Sequence, residues 1–191
     1  APRTYCNPPN YIRVMADADG TVVTFSPAVA GPWTLNAGQW QETSISQSVE
    51  ISATHPVLVG QFMRSSNDSE CSHEGDPAFM LQVPVAQFRP DYVFLTPTTY
   101  DRDFAAIVAP PSAQVSLDGA PVSLSSALIG ASGYSLTNIS LADGPHVIDA
   151  NVPIGVMVYA YGGPDPPNSS TRNVSYAYPA GLDLEAINPV E

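Results

Sequence analysis

Ile51-Ser-Ala-Thr-His-Pro-Val-Leu-Val-Gly-Gln-Phe62 aligns without a gap on Ile148-Asp-Ala-Asn-Val-Pro-Ile-Gly-Val-Met-Val-Tyr159. Working outward, Thr43-Ser-Ile-Ser46 returns as Thr137-Asn-Ile-Ser140, and Tyr11-Ile-Arg-Val-Met-Ala16 returns as Phe104-Ala-Ala-Ile-Val-Ala109. Val22-Val-Thr-Phe25 after the first copy is answered by Val115-Ser-Leu117 after the second. The spacing between copies drifts by only a few residues along the chain. Insertions of that size belong in turns, so the pattern predicts a duplicated β unit with variable loops. Pro56 and Pro153 fall at the same place in the two copies. A central strand cannot spare an amide donor, so matched bulges or strand starts are expected there.

Apolar runs punctuated by 20 Pro and 13 Gly read as many short strands. Strands are predicted over 11–16, 21–25, 43–46, 49–53, 57–63, 79–85 and 92–95, with turns at 17–20 and 36–38 in the first copy. Residues 57–63 read as a strand buried on both faces. The second copy places turns at Leu117-Asp-Gly119 and Ala142-Asp-Gly-Pro145. No stretch carries a helical period. The expected fold is all-β: two pseudo-repeated antiparallel β-sandwich units packed together. Residues 1–103 hold the first repeat with connecting strands and a loop, and residues 104–191 hold the second with a C-terminal aromatic segment. Residues 162–170 read as a connector, after which Ser175-Tyr-Ala-Tyr-Pro-Ala-Gly181 packs back on the body. Tyr5, Tyr11, Tyr159 and Tyr161 are expected half-buried with wet hydroxyls.

The chain has 191 residues, 44% hydrophobic, enough to bury a real core rather than to form a disordered acidic tail. Eighteen acidic residues against six basic ones, all Arg, give a net charge of −12. That field repels a phosphate backbone and an anionic membrane surface, so neither nucleic acid nor direct membrane insertion is expected. No apolar run reaches the roughly 20 residues that a spanning helix requires. The opening Ala1-Pro-Arg-Thr-Tyr-Cys6 reads as a mature N-terminus or an excised domain, with any export signal or anchor lying outside it. Cys6 and Cys71 lack CxxC or zinc-ligand spacing. In an extracellular β protein they form one disulfide, closing a loop worth on the order of 4 kcal/mol. Two buried thiols are the alternative.

Gly75-Asp-Pro-Ala78, Leu81-Gln-Val-Pro-Val-Ala-Gln-Phe-Arg89, Tyr92-Val-Phe-Leu-Thr-Pro97, Tyr100 and Phe104-Ala-Ala-Ile-Val-Ala-Pro110 resemble the IgGFc-binding domain family. So do Leu117-Asp-Gly119, Ser132-Gly-Tyr134, Val158-Tyr-Ala-Tyr-Gly162 and Tyr176-Ala-Tyr-Pro-Ala-Gly-Leu-Asp-Leu184. The similarity runs from about Tyr11 to the C-terminus and looks closest to the bacterial branch, found in large secreted and surface proteins. The resemblance implies an extracellular, cell-surface β module. It carries no compact ligand-contacting motif, and a fold family does not by itself fix a ligand.

Asp17-Ala-Asp-Gly20 has carboxylates at alternate positions, as calcium loops do, with Asp17 and Asp19 as the ligands. Thr21 stands where a third acid is wanted and no downstream Glu completes the set, so a plain hairpin turn competes with the calcium site. Cys71-Ser-His73-Glu74-Gly-Asp76 gathers a thiol, an imidazole and two carboxylates. With Cys71 in a bridge, His73, Glu74 and Asp76 remain as divalent-ion candidates in a solvated loop. His55, His73 and His146 stand outside any GxSxG, HExxH or paired-carboxylate pattern, so structural roles and no catalytic residue are expected. The match of His55 with Val152 suggests a packing position. Tyr100-Asp-Arg-Asp103 reads as a hydrated segment or an aromatic–carboxylate surface for sugar.

These residues point to a non-enzymatic adhesion or binding module of a larger surface protein, without a resident cofactor. Its partner is a protein or glycan on a cell surface or matrix, and neighbouring domains are expected. A lectin-like, calcium-assisted carbohydrate module and a structural spacer are the alternatives.

Overall fold

A computed structural model describes residues 9–64, 75–163 and 173–183. Cys6, Cys71, His73 and Glu74 lie outside the described residues, as does Tyr5, so the expected disulfide and two of the three residues of the second metal set do too. The described residues are all-β, with every strand pair antiparallel and one 3-10 turn at Val85–Gln87.

β1 (Asn10–Ala16) and β2 (Thr21–Ser26) do not form the expected hairpin: they lie in different sheets, and residues 17–20 carry the chain from one sheet to the other, while Ile12, Val14 and Ala16 point inward with Val23 and Phe25. β3 (Trp33–Leu35), β4 (Trp40–Ile45), β5 (Glu50–Ala53) and β6 (Val57–Phe62) follow. Then come β7 (Phe79–Leu81), β8 (Arg89–Thr96), β9 (Arg102–Ala109), β10 (Val115–Leu117) and β11 (Ala120–Pro121). β12 (Ser135–Leu141), the 18-residue β13 (Gly144–Tyr161) and β14 (Ser175–Pro179) complete the set. One sheet has the order β4-β1-β6-β7 and another β3-β2-β5. The third runs β11-β10-β13-β9-β12, with β8 and β14 also paired to β13.

Strand partners recur along the chain. β1 lies between β4 and β6, and β9 lies between β12 and the second half of β13. Tyr11 faces Phe62 as Phe104 faces Tyr159, and Val23 faces Ala53 as Val115 faces Ala150. The two prolines act as expected. Pro56 precedes β6 and separates it from β5, while Pro153 sits where the β13–β8 register shifts between Asp149 and Ile154. β13 is therefore one strand serving two sheet regions, the work that β5 and β6 divide. One correspondence slips: Ile45 faces Asn10, whereas Ile139, its sequence match, faces Ala105 and Leu141 faces Asp103. A two-residue slip preserves which side chains face inward, so packing tolerates it.

Three cores result. Ile12, Val14, Ala16, Val23, Phe25 and Leu35 fill the space between the first two sheets. Tyr92, Phe94, Ala105, Ile107, Val115, Ile148, Ile154, Val156 and Val158 are among the residues of the second core. Met63 and Met80, from the end of the first sheet, pack with Phe104, Ala106, Tyr159 and Tyr161 in the third. The flexible thioethers fill the irregular space between two sheets, and burying each such side chain contributes roughly 1.5–3 kcal/mol. Backbone contacts join the same parts, with the Gly75 amide donating to the Gly162 carbonyl at 3.0 Å.

Four local expectations are corrected. Residues 57–63 are not buried on both faces: Leu58 is exposed. Residues 79–85 form a strand only to Leu81, because Pro84 has no amide donor and heads the Val85–Gln87 turn instead. Tyr159 and Tyr161 are fully buried rather than half wet, with the Tyr159 hydroxyl donating to Asn138 Oδ1 at 3.1 Å. His55 is exposed beside Thr54, in the break between β5 and β6, and does not pack as Val152 does.

Candidate binding face

β1, β4, β6 and β7 place every second side chain on the outside of their sheet, and register sets those side chains in rows. Trp40, Met15 and Leu58 form one row; Glu42, Arg13, Gly60 and Leu81 form the next; Ser44, Tyr11, Phe62 and Phe79 form the third. Trp40, Leu58 and Phe79 are 50%, 51% and 52% exposed, and Tyr11, Met15 and Leu81 are also exposed. An apolar patch of this kind on a monomer marks an interaction surface, whereas scattered single residues would not. Its aromatic and arginine content matches the residue types that dominate binding energy.

Arg13 sits at the centre. Its guanidinium lies 4.3 Å from the Trp40 ring centroid and 5.0 Å from that of Phe62, while its Nε and Nη2 donate to Glu42 Oε2 at 3.1 and 2.9 Å. Arg64 lies 5.9 Å from the centre of the Tyr11 ring. Such stacking holds a planar cation in one orientation against an apolar floor. Beside it is a depression of ≈ 300 Å³ lined by Arg13, Met15, Leu58, Gly60, Phe62 and Phe79. Gly60 makes this shape: a Cβ there would come within 2.5 Å of the Phe79 ring, which leans across the glycine to meet Phe62 at 4.9 Å between centroids.

The equivalent rows around β9 are covered. Phe104 and Ala106, with Tyr159 opposite, face Met63 and Met80, and Leu136 and Met157 pack at the edge. A cleft of ≈ 270 Å³ remains there, lined on one side by residues such as Ile12, Ile45, Val59 and Met80 and on the other by Ala106, Val108, Leu136 and Met157. Thus the β4-β1-β6-β7 sheet lies on the outer face of the third sheet, and its own outer face carries no such cover among the described residues.

Of the sequence-predicted metal residues, Asp17, Asp19 and Asp76 are among those described. Asp17 and Asp19 lie in the β1–β2 turn, where Asp19 Oδ1 accepts from the Ala37 amide at 2.9 Å and Asn36 Oδ1 accepts from the Gly20 amide at 3.2 Å. These bonds brace two turns against each other. Asp76 follows Gly75, and its amide donates to Ser175 Oγ at 3.1 Å. Among the described residues, no three His, Cys, Asp or Glu side chains converge as a metal group.

In the Tyr100-Asp-Arg-Asp103 segment Asp101 is exposed and Tyr100 and Arg102 are half-buried, so the expected hydrated segment is corrected only at Asp103. Asp103 is buried and accepts from the Tyr176 hydroxyl, while Asp101 accepts from the Gly163 amide. Burial pushes the Asp103 carboxyl up to about 6; the Tyr176 bond and His146 oppose this, and Asp143 adds to it. Tyr100 meets Tyr176 edge to face, Tyr176 stacks on Tyr178, and the Tyr178 hydroxyl donates to the Leu95 carbonyl at 2.6 Å. The aromatic tail thus packs back on the body as expected. His146 is buried between Asp118 Oδ2 at 2.7 Å and the Ala142 carbonyl at 2.8 Å. Burial alone lowers its pKa, but these two acceptors, with the charge of Asp103, raise it overall. Only an imidazolium can donate to both, so the two acceptors favour the protonated ring.

The exposed apolar face escaped the sequence reading because residues 11–16 and 57–62 carry apolar side chains at both parities, like a strand buried on two sides. The usable signal was Arg13, a fixed charge in the middle of a row otherwise suited to cover. Among known proteins, a family model described as IgGFc binding protein matches residues 1–160. No curated protein and no solved structure matches the chain.

Proposed function

Because the chain belongs to the IgGFc-binding family, we propose that it is a non-catalytic extracellular module that engages a protein partner through the outer face of the β4-β1-β6-β7 sheet. The observation that carries this is the set of three apolar rows centred on the ring-stacked Arg13. Rigid aromatics lose little freedom on contact, and a preoriented guanidinium adds directional bonds to a surface otherwise held by apolar burial. The family name supports a protein ligand; display on a cell surface, a role in adhesion and membership of the bacterial branch belong to the same proposal.

The scaffold of this proposal is one sandwich unit copied twice, residues 1–103 and 104–191. Recurring strand partners and registers support it. In this reading the second copy's outer face is spent on the internal contact, which leaves the first copy's face for recognition.

Surface plasmon resonance of the immobilised chain tests the reading, with purified IgG and its Fc part as probes alongside whole-cell attachment. Trp40→Ala and Leu58→Asp are expected to weaken capture by roughly 30-fold or more, the scale of a central hot-spot residue. Capture that is unchanged in both variants, with thermal melts intact, would place recognition elsewhere and sink the proposal. A glycan array with and without calcium separates the lectin alternative.

A further inference from the structure

The cleft between the β4-β1-β6-β7 sheet and the β9 region holds a polar pair that packing does not require. On the inner face of that sheet, Ile12, Gln61 and Met80 stand in one register row. Ile12 and Met80 are buried, while Gln61 between them is half-buried and lines the cleft. The second copy has Val158 at the matching position, fully buried in a core. An amide inside a sheet-on-sheet contact costs stability unless it is bonded. Gln61 Oε1 accepts from Gln82 Nε2 at 3.1 Å, and the Gln82 backbone amide is held by the Val59 carbonyl at 2.9 Å. The linked side chains leave one donor end, Gln61 Nε2, and one acceptor end, Gln82 Oε1. Turning both amides over exchanges the ends but keeps one of each.

The rest of the lining selects the occupant. Among the described residues, no charged side chain and no aromatic ring lines the cleft. An ion would find no counter-charge there, and a sugar or flat ring no stacking platform. Branched aliphatics make up most of the walls, with the adaptable thioethers of Met80 and Met157 on opposite sides. At ≈ 270 Å³ the space lies below the roughly 300–1,000 Å³ of small-molecule sites. It suits one side chain with its peptide groups rather than a cofactor. A peptide unit supplies the acceptor and the donor that the two glutamine ends lack, and a hydrocarbon tail supplies neither.

We propose that this cleft binds a branched aliphatic residue of leucine type, presented in an uncharged, extended segment of a partner protein. Its peptide carbonyl and N–H bond to the Gln61 and Gln82 side chains, and its side chain fills the apolar floor. The site is separate from the exposed outer face, because β6 turns Val59 and Gln61 to the cleft and Leu58 and Gly60 to the other side. An occupant touches both walls and so braces the β4-β1-β6-β7 sheet against the β9 region.

Methyl NMR of the full chain labelled at methionine tests this, with N-acetyl-leucinamide as the probe. The chain has four methionines: Met80 and Met157 line the cleft, Met15 lies on the outer face and Met63 in the third core. The probe is expected to shift Met80 and Met157 saturably and to leave Met15 unmoved. N-acetylglycinamide lacks the side chain and N-acetylleucine is an anion, so each should bind roughly tenfold or more weakly. Acetyl-Thr-Leu-Thr-amide, which extends the peptide on both sides, should shift the same two methyls at lower concentration. Gln61→Leu and Gln82→Leu each remove one end of the amide pair and should weaken the probe roughly fivefold, the scale of one net hydrogen bond. Ala106→Leu fills the cleft and should abolish the shifts, with thermal melts confirming that every variant folds. No saturable shift at Met80 and Met157, an equal response to N-acetylglycinamide, or unchanged affinity in both glutamine variants overturns the proposal. A response to N-acetyl-leucinamide with none to the tripeptide overturns the protein partner as the source.

Discussion

Replacing Asp103 by Asn should make the protein more stable above neutrality, although it removes a hydrogen-bonded buried carboxylate. Asp103 lies under Tyr176, near His146, Asp143, Tyr100 and Tyr178, and burial lifts its pKa from 3.8 to about 6. A raised folded-state value means that the folded chain holds this proton more tightly than the unfolded one. The resulting stability is fully present below about pH 4 and is lost as pH rises through about 6. At about 1.4 kcal/mol per pH decade, ionising the folded residue costs about 3 kcal/mol relative to the unfolded chain. Asn cannot ionise, and its Oδ1 still accepts from the Tyr176 hydroxyl. The expected difference between variant and wild type is therefore near zero at pH 4 and approaches about 3 kcal/mol in favour of the variant at pH 8. Urea unfolding at a series of pH values measures it, and the wild-type-minus-variant difference cancels other titrations. Two parallel stability profiles, or a variant less stable at pH 8, would refute the reasoning. The first would mean that Asp103 is not desolvated, and the second that its ionised form makes a bond Asn cannot replace.

Other expectations concern the same scaffold. His146 has a raised pKa, so its pairing stabilises the fold fully below about pH 6.5 and fades as pH rises through the folded value; His146→Gln should flatten that alkaline loss in urea titrations. Tyr92 donates to the Ile154 carbonyl at 2.5 Å and accepts from the Arg89 amide at 3.0 Å beside the β13 irregularity. Tyr92→Phe strands both partners and should cost about 1–3 kcal/mol without changing the urea slope. Gly60→Ala should displace the exposed Phe79 ring with a stability change under about 1 kcal/mol, read by thermal melts, while intrinsic fluorescence and partner capture report the altered face.

Much of the strand map was legible because it is written in local signals. Asp118 and Gly119 both take positive φ between β10 and β11, as the Leu117-Asp-Gly119 turn implied, and Pro56 and Pro153 fall where strands start or shift. Position in the chain could not show that Asp103 would be buried, since its neighbours Asp101 and Arg102 look equally suited to water. Tyr176, 73 residues away, decides that. His55 shows the converse error: matching an apolar residue in the other copy did not make it packed, because β5 and β6 part at a loop where β13 runs on.

The sequence by itself determined the all-β class and the position of most strands along the chain, because alternation and turn chemistry are properties of neighbouring residues. Tertiary structure alone decided which of two similar apolar sheet faces is covered. Met63 and Met80 close the one around β9, while Arg13, Trp40, Leu58 and Phe79 remain on the outside of the other. The physical reason is that cover is a non-local contact. Strands apolar on both sides look alike in sequence, whichever side a distant sheet comes to rest upon.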